Sequence, residues 1–191
     1  MKIAIACDHA GFELKSAVAK QLSAAGHDVQ DFGTNSEESV DAVDHVYPAA
    51  LAISQGKADR AILIDGAGYP SGIIANLLPN VYAAVANDLF SARLSREHSN
   101  ANVLCMGGKV IGGGVGEEIV RVWLKTDFLG GKYAARVQKV EKLSKKHRIG
   151  SEAAVRKVVT IQDVRDALEK KESLLMNEST ILTPSVLDLI R

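Results

Sequence analysis

Short apolar runs rich in β-branched residues alternate with segments of helical period over about the first 125 residues of the chain. Runs of this kind are KIAIACD, DVQDFG, RAILIDG, VYAAVAND and NVLCMGG. Strands that alternate with helices form parallel sheets, because each helix carries the chain back to the edge of the sheet where the previous strand began. The pattern predicts an α/β fold whose five-stranded parallel sheet is covered by helices on both faces.

The helical segments between these runs set the expected domain organisation. The first, FELKSAVAKQLSAAG, places Leu14, Val18 and Leu22 on one face and ends at Gly26, a typical residue after a helix C-terminus. Later helices are predicted over HVYPAALAISQ, DLFSARLSREH, GEEIVRVWLK and GKYAARVQKVEKLSKK. Because the alternation stops around HRIGSEAAVRK, we expect residues 1–148 to form the main domain and residues 149–191 to form a C-terminal helical extension.

The composition excludes several classes of protein. Hydrophobic residues make up 47% of the 191 residues and charged residues 24%, and no apolar tract is long enough to span a membrane. The 23 lysines and arginines balance 23 aspartates and glutamates, so no overall field attracts nucleic acid or an anionic membrane. Cys7 and Cys105 lie in separate apolar runs without the spacing of metal ligands. We therefore expect a reduced, cytoplasmic protein with no bound metal.

Polar residues stand where two of the predicted strands end. Ligands of open parallel sheets bind beyond the carboxyl ends of the strands, so Asp8 and His9 after the first strand and Asp65 after the third are candidates. The turn GAGYPSG that follows Asp65 can direct several backbone N–H groups at one anion beside a helix N-terminus. It matches neither the dinucleotide fingerprint nor a P-loop. An anion site is therefore predicted, although a plain strand-to-helix turn would also explain the glycines.

Four segments resemble the ribose-5-phosphate isomerase B family, which includes the galactose-6-phosphate isomerase subunits. They are IAIACDHAGFELK, the G-x-G turn that ends in IAN, SARLSREHSNANVLCMGG and GGKYAARV, in this order over residues 1–148. The resemblance implies a Rossmann-like αβα sandwich and an aldose–ketose isomerase that acts on a sugar phosphate without a cofactor. It also implies a homodimer or homotetramer whose active sites use residues from two subunits.

The resemblance assigns roles to individual residues. Asp65 stands where many members carry a cysteine that acts as the base, and His98 matches the histidine that assists opening of the sugar ring. The other residues expected to contact substrate are Asp8, His9, Gly66, Ala67, Gly68, Ser71, Gly72, Ser99, Lys132 and Arg136. Within this set the turn from Gly66 to Gly72 would bind the enediolate, while His9, Lys132 and Arg136 would bind the phosphate.

Several residues depart from the family pattern, and Asp65 is the most consequential of them. A carboxylate can move the proton between C1 and C2 as a thiolate does, but an aspartate at this position could instead cap the following helix. Ala67, Ser99 and Lys132 replace a threonine, an asparagine and an arginine of the family. These changes predict a shifted substrate or a lost activity. The alternative function is a non-catalytic sugar-phosphate-binding subunit that serves assembly or sensing.

The C-terminal extension carries a helical pattern of its own. Thr160 and Asp163 resemble a capping box before a helix with one apolar face, and a second short helix is predicted from Thr183 onward. Residues 160–191 also resemble short segments on enzymes of bacterial microcompartments, which predicts docking onto a partner or a place inside such a compartment. Packing against its own core or against another subunit is the alternative.

Overall fold

The predicted parallel sheet is present in the computed structural model, which describes residues 1–153, 158–159, 164–165, 168–169 and 181–182. Its strands are β1 (Lys2–Cys7), β2 (Asp28–Asp31), β3 (Arg60–Asp65), β4 (Ala83–Val85) and β5 (Val103–Gly107). All neighbouring strands are parallel, in the order β2-β1-β3-β5-β4. In this register Cys7 lies opposite Ile64, and Asp65 lies opposite Gly107.

Helices connect the strands as predicted. They are α1 (Phe12–Ala24), α2 (Ala42–Ser54), α3 (Tyr69–Asn76), α4 (Leu89–Ser99), α5 (Gly113–Lys125) and α6 (Gly131–Ala153), with a 3-10 turn at His9–Gly11 before α1. α2 begins at Ala42 rather than at His45, because the Asp41 carboxylate accepts a hydrogen bond from the Val43 N–H and caps the helix there. Within the described residues, no helix combines the length and apolar character needed to cross a membrane.

The sheet is buried on both faces, which makes the fold an αβα sandwich. Alternate residues of a strand point to opposite faces, so Ile3 and Ile5 of β1 belong to one apolar cluster and Ala4 and Ala6 to another. The first cluster includes side chains of α1, α4 and α5, with Trp123 fully buried among them. The second includes side chains of α2 and α3. Helices therefore cover both faces of the sheet, as the apolar runs predicted.

Because the five strands share one direction, the sheet has an amino edge and a carboxyl edge. α4 leaves the end of β4 and leads to the start of β5. Its first residues therefore lie at the carboxyl edge, and its last residues lie at the amino edge. The 11 residues of α4 correspond to a length of about 16 Å. This separation determines which predicted site residues one chain can bring together.

The chain divides into two compact units, Met1–Gln138 and Lys139–Arg191. We expected the division at residue 148, whereas α6 continues through that position to Ala153. In the second unit β6 (Val158–Val159) pairs in parallel with β7 (Ile181–Leu182), two strands that the sequence did not predict. Residues 164–165 and 168–169 are helical. The predicted capping box at Thr160 and the predicted helix from Thr183 lie outside the described residues.

Candidate active site

Three loops meet at the carboxyl edge, after β1, β3 and β5. The chain places β2 on one side of β1 and β3 on the other, which is the topological switch point where open α/β sheets bind ligands. Glycines allow the loops to approach closely. A Cβ atom on Gly108 would lie 2.6 Å from the carbonyl oxygen of Ala10, and one on Gly107 would lie 2.8 Å from the Cα of Ala67. The first and third loops therefore contact each other, as do the second and third.

Asn87, which was not predicted as a site residue, fixes the glycine-rich turn to the end of β5. Its Nδ2 donates to the carbonyl of Ala67 at 3.1 Å, and its Oδ1 accepts the N–H of Gly107 at 2.7 Å. An amide side chain directly after an apolar strand was the only sign of this role in the sequence. The turn after Asp65 is thus held from two sides, by its own strand and by Asn87.

Asp65 caps the first turn of α3. Its side chain is buried, at 1% exposure. Oδ1 accepts the N–H groups of Ala67 at 2.9 Å and Gly68 at 2.6 Å, and Oδ2 accepts the N–H of Ser71 at 2.8 Å. Three of the amides that were expected to bind an enediolate are therefore bonded to the Asp65 carboxylate itself. Since a carboxylate offers about four acceptor positions, roughly one remains for a substrate proton.

Ser71 adds a polar group beside this carboxylate. Its hydroxyl is fully buried, and among the described residues it has no hydrogen-bond partner. A buried hydroxyl without a partner carries a free-energy cost of about 1–3 kcal/mol. Ser71 therefore has an unused donor next to the carboxylate.

The two thiols lie in the same part of the sheet but are inert. Burial raises the pKa of Cys7 to about 11, against a partial opposing effect of the Lys15 charge. Burial raises the pKa of Cys105 as well, and the nearby Asp65 charge adds to the effect. Both thiols are also fully buried, so neither is placed to act as the base that the family resemblance implies at position 65.

Asp8 and His9 form the first loop of the carboxyl edge. The Asp8 carboxylate accepts the N–H groups of Ala10 at 2.9 Å and Gly11 at 3.1 Å, so it caps the 3-10 turn. His9 Nδ1 accepts the N–H of Val40 at 3.3 Å. A ring nitrogen that accepts this bond carries no proton, so the neutral imidazole has its proton on Nε2.

A cavity of about 620 Å³ opens beside His9. Lys109, Glu13 and Glu37 also line it, together with glycines at the start of α5. Lys109 was not predicted, although a cation directly after the glycine pair that ends NVLCMGG was visible in the sequence. His9 and Lys109 provide this cavity with two groups that can bind an anion.

The remaining predicted residues lie at the amino edge, around Tyr133. The His98 and Tyr133 rings are stacked, with centroids 4.2 Å apart and planes 9° apart. Lys132 Nζ lies 5.2 Å from the Tyr133 ring centroid, and Arg136 Cζ lies 5.4 Å from it. Ser99, the last residue of α4, is exposed beside them. His98, Lys132 and Arg136 are thus brought together, around a tyrosine to which the sequence analysis gave no role.

The predicted site is therefore divided between two clusters. The carboxyl-edge cluster consists of Asp8, His9, Asp65, the turn Gly66–Gly72 and Lys109, and the amino-edge cluster consists of His98, Ser99, Lys132, Tyr133 and Arg136. They lie at opposite ends of the strands, so one chain does not bring Asp65 and His98 together. In the part of the chain that the structure describes, no group of three or more His, Cys, Asp or Glu side chains could hold a metal ion.

Comparison with known proteins identifies the family to which this chain belongs. Residues 3–140 match the family described as Ribose/Galactose Isomerase. The chain belongs to this family. Ribose-5-phosphate isomerase B of Escherichia coli is 39% identical over 139 residues, which are 73% of this chain and 93% of that protein. D-erythrulose-4-phosphate isomerase of Pectobacterium atrosepticum is 36% identical over 141 residues, which are 73% and 93% of the two chains.

A solved structure shows the same fold. Ribose-5-phosphate isomerase B of Clostridium thermocellum has a TM-score of 0.75 and 44% identity, over 77% of this chain and 99% of that one. The predicted Rossmann-like fold and the predicted isomerase class are confirmed. The family match ends within α6, so all of the predicted C-terminal extension, residues 149–191, lies beyond it.

Proposed function

We propose that this sugar-phosphate isomerase interconverts ribose 5-phosphate and ribulose 5-phosphate, or a closely related sugar phosphate, in active sites shared by two copies of the chain. The observation that carries the proposal is the division of the site residues between the two edges of the sheet. The relatives support a phosphorylated sugar but differ in its length, since one is named for a pentose and another for a tetrose.

A second copy would complete the site if its amino edge lay beside the carboxyl edge of the first. Two copies related by a two-fold axis perpendicular to the strands meet in this way. α3 offers a suitable contact, because Tyr69, Ile73 and Leu77 recur every four residues and are 63%, 68% and 75% exposed. An apolar stripe this exposed is typical of a protein interface. It also runs from the carboxyl edge to the amino edge, which suits an antiparallel pair.

The substrate phosphate would lie between anion-binding side chains of both copies. His9 and Lys109 line the cavity of one chain, and the partner subunit's Lys132 and Arg136 would approach from the other. Arginine can bind two phosphate oxygens at once through its planar guanidinium, whereas lysine acts as a point charge. Enclosure between two subunits would also exclude water, which strengthens each of these charge interactions.

The chemistry would then proceed in two steps. The partner subunit's His98 would assist opening of the sugar ring by moving a proton between the ring oxygen and the C1 hydroxyl. Asp65 would next take the proton from C2, through its remaining acceptor position, and return it to C1, while the hydroxyl proton on the C2 oxygen moves to the C1 oxygen. As Asp65 takes up this proton, the negative charge passes to the enediolate oxygen. The N–H groups of Ala67, Gly68 and Ser71 are bonded to Asp65, so a donor left to stabilise that charge is the buried Ser71 hydroxyl, which has no partner among the described residues.

Turnover of ribose 5-phosphate tests the function, with phosphorylated sugars of four to six carbons measured in parallel. The proposal expects one of them to be isomerised by the wild-type protein. Binding of sugar phosphates without any turnover would instead identify the non-catalytic subunit.

The choice of variant matters at position 65. Asparagine would place an NH₂ group against the N–H donors of the turn and destabilise it. Asp65→Ser avoids this conflict, because its hydroxyl oxygen can accept an N–H from the turn while serine is a poor base.

The cellular setting remains a proposal. We place the enzyme in the cytoplasm, on the composition, and assign residues 160–191 to docking onto a partner or a microcompartment. Removing residues 160–191 tests the second point: isomerase activity should remain, and co-purification with the partner should be lost. A shortened chain that keeps its partner would exclude this docking role.

A further inference from the structure

Tyr133 is the shared neighbour of the three amino-edge side chains to which a role is proposed. Its ring stacks on His98, and the cationic ends of Lys132 and Arg136 lie within 5.4 Å of its centroid. The tyrosine is half-buried, whereas Lys132 and Arg136 are exposed. Exposed lysine and arginine side chains sample many rotamers. A neighbour that restrains both therefore determines where their cationic groups lie when a ligand binds.

The backbone on both sides of the stack is fixed independently. The Leu129 N–H donates to the carbonyl of Glu97 at 3.2 Å, and the Tyr133 N–H donates to that of Gly130 at 3.0 Å. Gly130 and Gly131 have φ angles of 65° and 52°, which let the chain turn sharply into α6. The turn delivers Tyr133 onto the last turn of α4.

Arg96 holds the other partner of the stack. It is 5% exposed, and its guanidinium donates to the carbonyls of Thr126 and Ala101 and to the Asn100 side chain. Burial lowers its pKa to about 10, with the Arg60 charge adding to the effect. These hydrogen bonds fix the turn of α4 that carries His98. The His98 ring can therefore move mainly by rotating about its own side-chain bonds. Tyr133 removes that freedom.

We propose that Tyr133 is a positioning residue, which holds the His98 imidazole in one plane and keeps Lys132 and Arg136 beside it so that ring opening and phosphate binding act on one substrate. This inference rests on the proposed isomerase function. The stacked face of tyrosine leaves the edge of the imidazole, with its two nitrogens, directed away from the ring. The aromatic surface carries this role, and the hydroxyl group does not.

Two substitutions separate the ring from the hydroxyl. Tyr133→Phe keeps the stacked face, and Tyr133→Leu keeps an apolar side chain of similar size without a ring. We expect the Phe variant to retain kcat within about twofold and the Leu variant to lose on the order of ten- to a hundredfold, as expected when a catalytic group is misplaced. A Leu variant with wild-type kcat would overturn the inference, since a merely apolar contact would then suffice.

A spectroscopic measurement reports on the stack without turnover. The ring protons of His98, assigned by comparison with His98→Gln, should show an upfield ring-current shift in the wild type and in Tyr133→Phe and lose it in Tyr133→Leu. Inorganic phosphate should move the shifted signals and bind the Leu variant more weakly. If the wild type isomerises no sugar phosphate, the proposed function fails. The inference itself fails if the ring-current shift is absent or if the Leu variant binds phosphate as tightly as the wild type.

Discussion

The two edges of the sheet carry the two halves of the proposed site, and they are built differently. The carboxyl-edge cluster is largely backbone: glycines bring three loops into contact, and the Asp65 carboxylate is buried among N–H donors. The amino-edge cluster consists of long side chains around one aromatic ring, and its cations are exposed. The first is preorganised within one chain. The second needs enclosure, because exposed charges interact weakly with a ligand in water.

The largest effect is expected at the preorganised half. Asp65→Ser should lower kcat by a factor on the order of 10² to 10⁴, the usual contribution of a general base, with a smaller change in KM. The measurement is steady-state turnover of whichever sugar phosphate the wild type isomerises, with thermal unfolding as the control for folding. A folded variant with nearly full kcat would reduce Asp65 to a helix cap and would place the base elsewhere.

The second largest effect is expected at α3, the proposed contact between the two subunits. Ile73→Asp puts a charge in the middle of the α3 stripe and should dissociate the oligomer, with a loss of activity that recovers at high protein concentration. Sedimentation velocity and activity are measured over the same concentrations. Val115→Asp, at another exposed apolar position outside α3, is the matched control and should change neither property. An Ile73→Asp protein of unchanged mass would exclude α3 from the interface.

A more moderate effect is expected from the exposed cations. Arg136→Gln should raise KM about tenfold with little change in kcat, because it removes a charge-assisted bond to phosphate that is made equally in the ground and transition states. Lys132→Arg should lower KM, since an arginine can bind two phosphate oxygens at once whereas a lysine acts as a point charge. The activity of the wild type should also fall as salt is added. An unchanged KM for Arg136→Gln would remove this residue from the phosphate site.

The smallest effect is a pH dependence at the buried end of β1. The folded pKa of Cys7, about 11, lies above the ordinary value of 9.0, so between these values the unfolded chain loses its thiol proton first. Stability is therefore independent of this thiol below about pH 9 and falls by up to about 2 kcal/mol as pH rises to 11. Denaturant unfolding across this range should give a shallower decline for Cys7→Ala. Equal slopes for the two proteins would contradict the shift.

The sequence was sufficient for the three central strands, β1, β3 and β5, because each is an apolar run that is buried along almost its whole length. It could not show that β5 lies between β3 and β4, because strand order depends on tertiary packing. Tertiary packing also places Asp65 and His98 at opposite edges of the sheet. The sequence indicated this only indirectly, through the two-subunit active sites that the family resemblance implied. An aspartate suits either a base or a cap, so the three hydrogen bonds to Asp65 had to be seen in the structure.

Tyr133 shows a second limit of sequence reasoning. It lies inside GGKYAARV, where Lys132 and Arg136 were singled out for their charge. Its stack on His98 depends on a turn through Gly130 and Gly131 and on the end of α4, which are distant in sequence from each other. Contacts of this kind have no local pattern.

Complementation between two inactive variants tests the shared site most directly. Asp65→Ser and His98→Ala would be co-expressed with different affinity tags, and mixed oligomers purified through both. If the site joins the carboxyl edge of one copy to the amino edge of another, a mixed dimer regains one of its two sites, the one that combines an intact Asp65 with an intact His98. Turnover of the mixed oligomers is expected to be well above that of either parent. Mixed oligomers as inactive as the parents would show that the two residues act within one chain, contrary to the shared site proposed here.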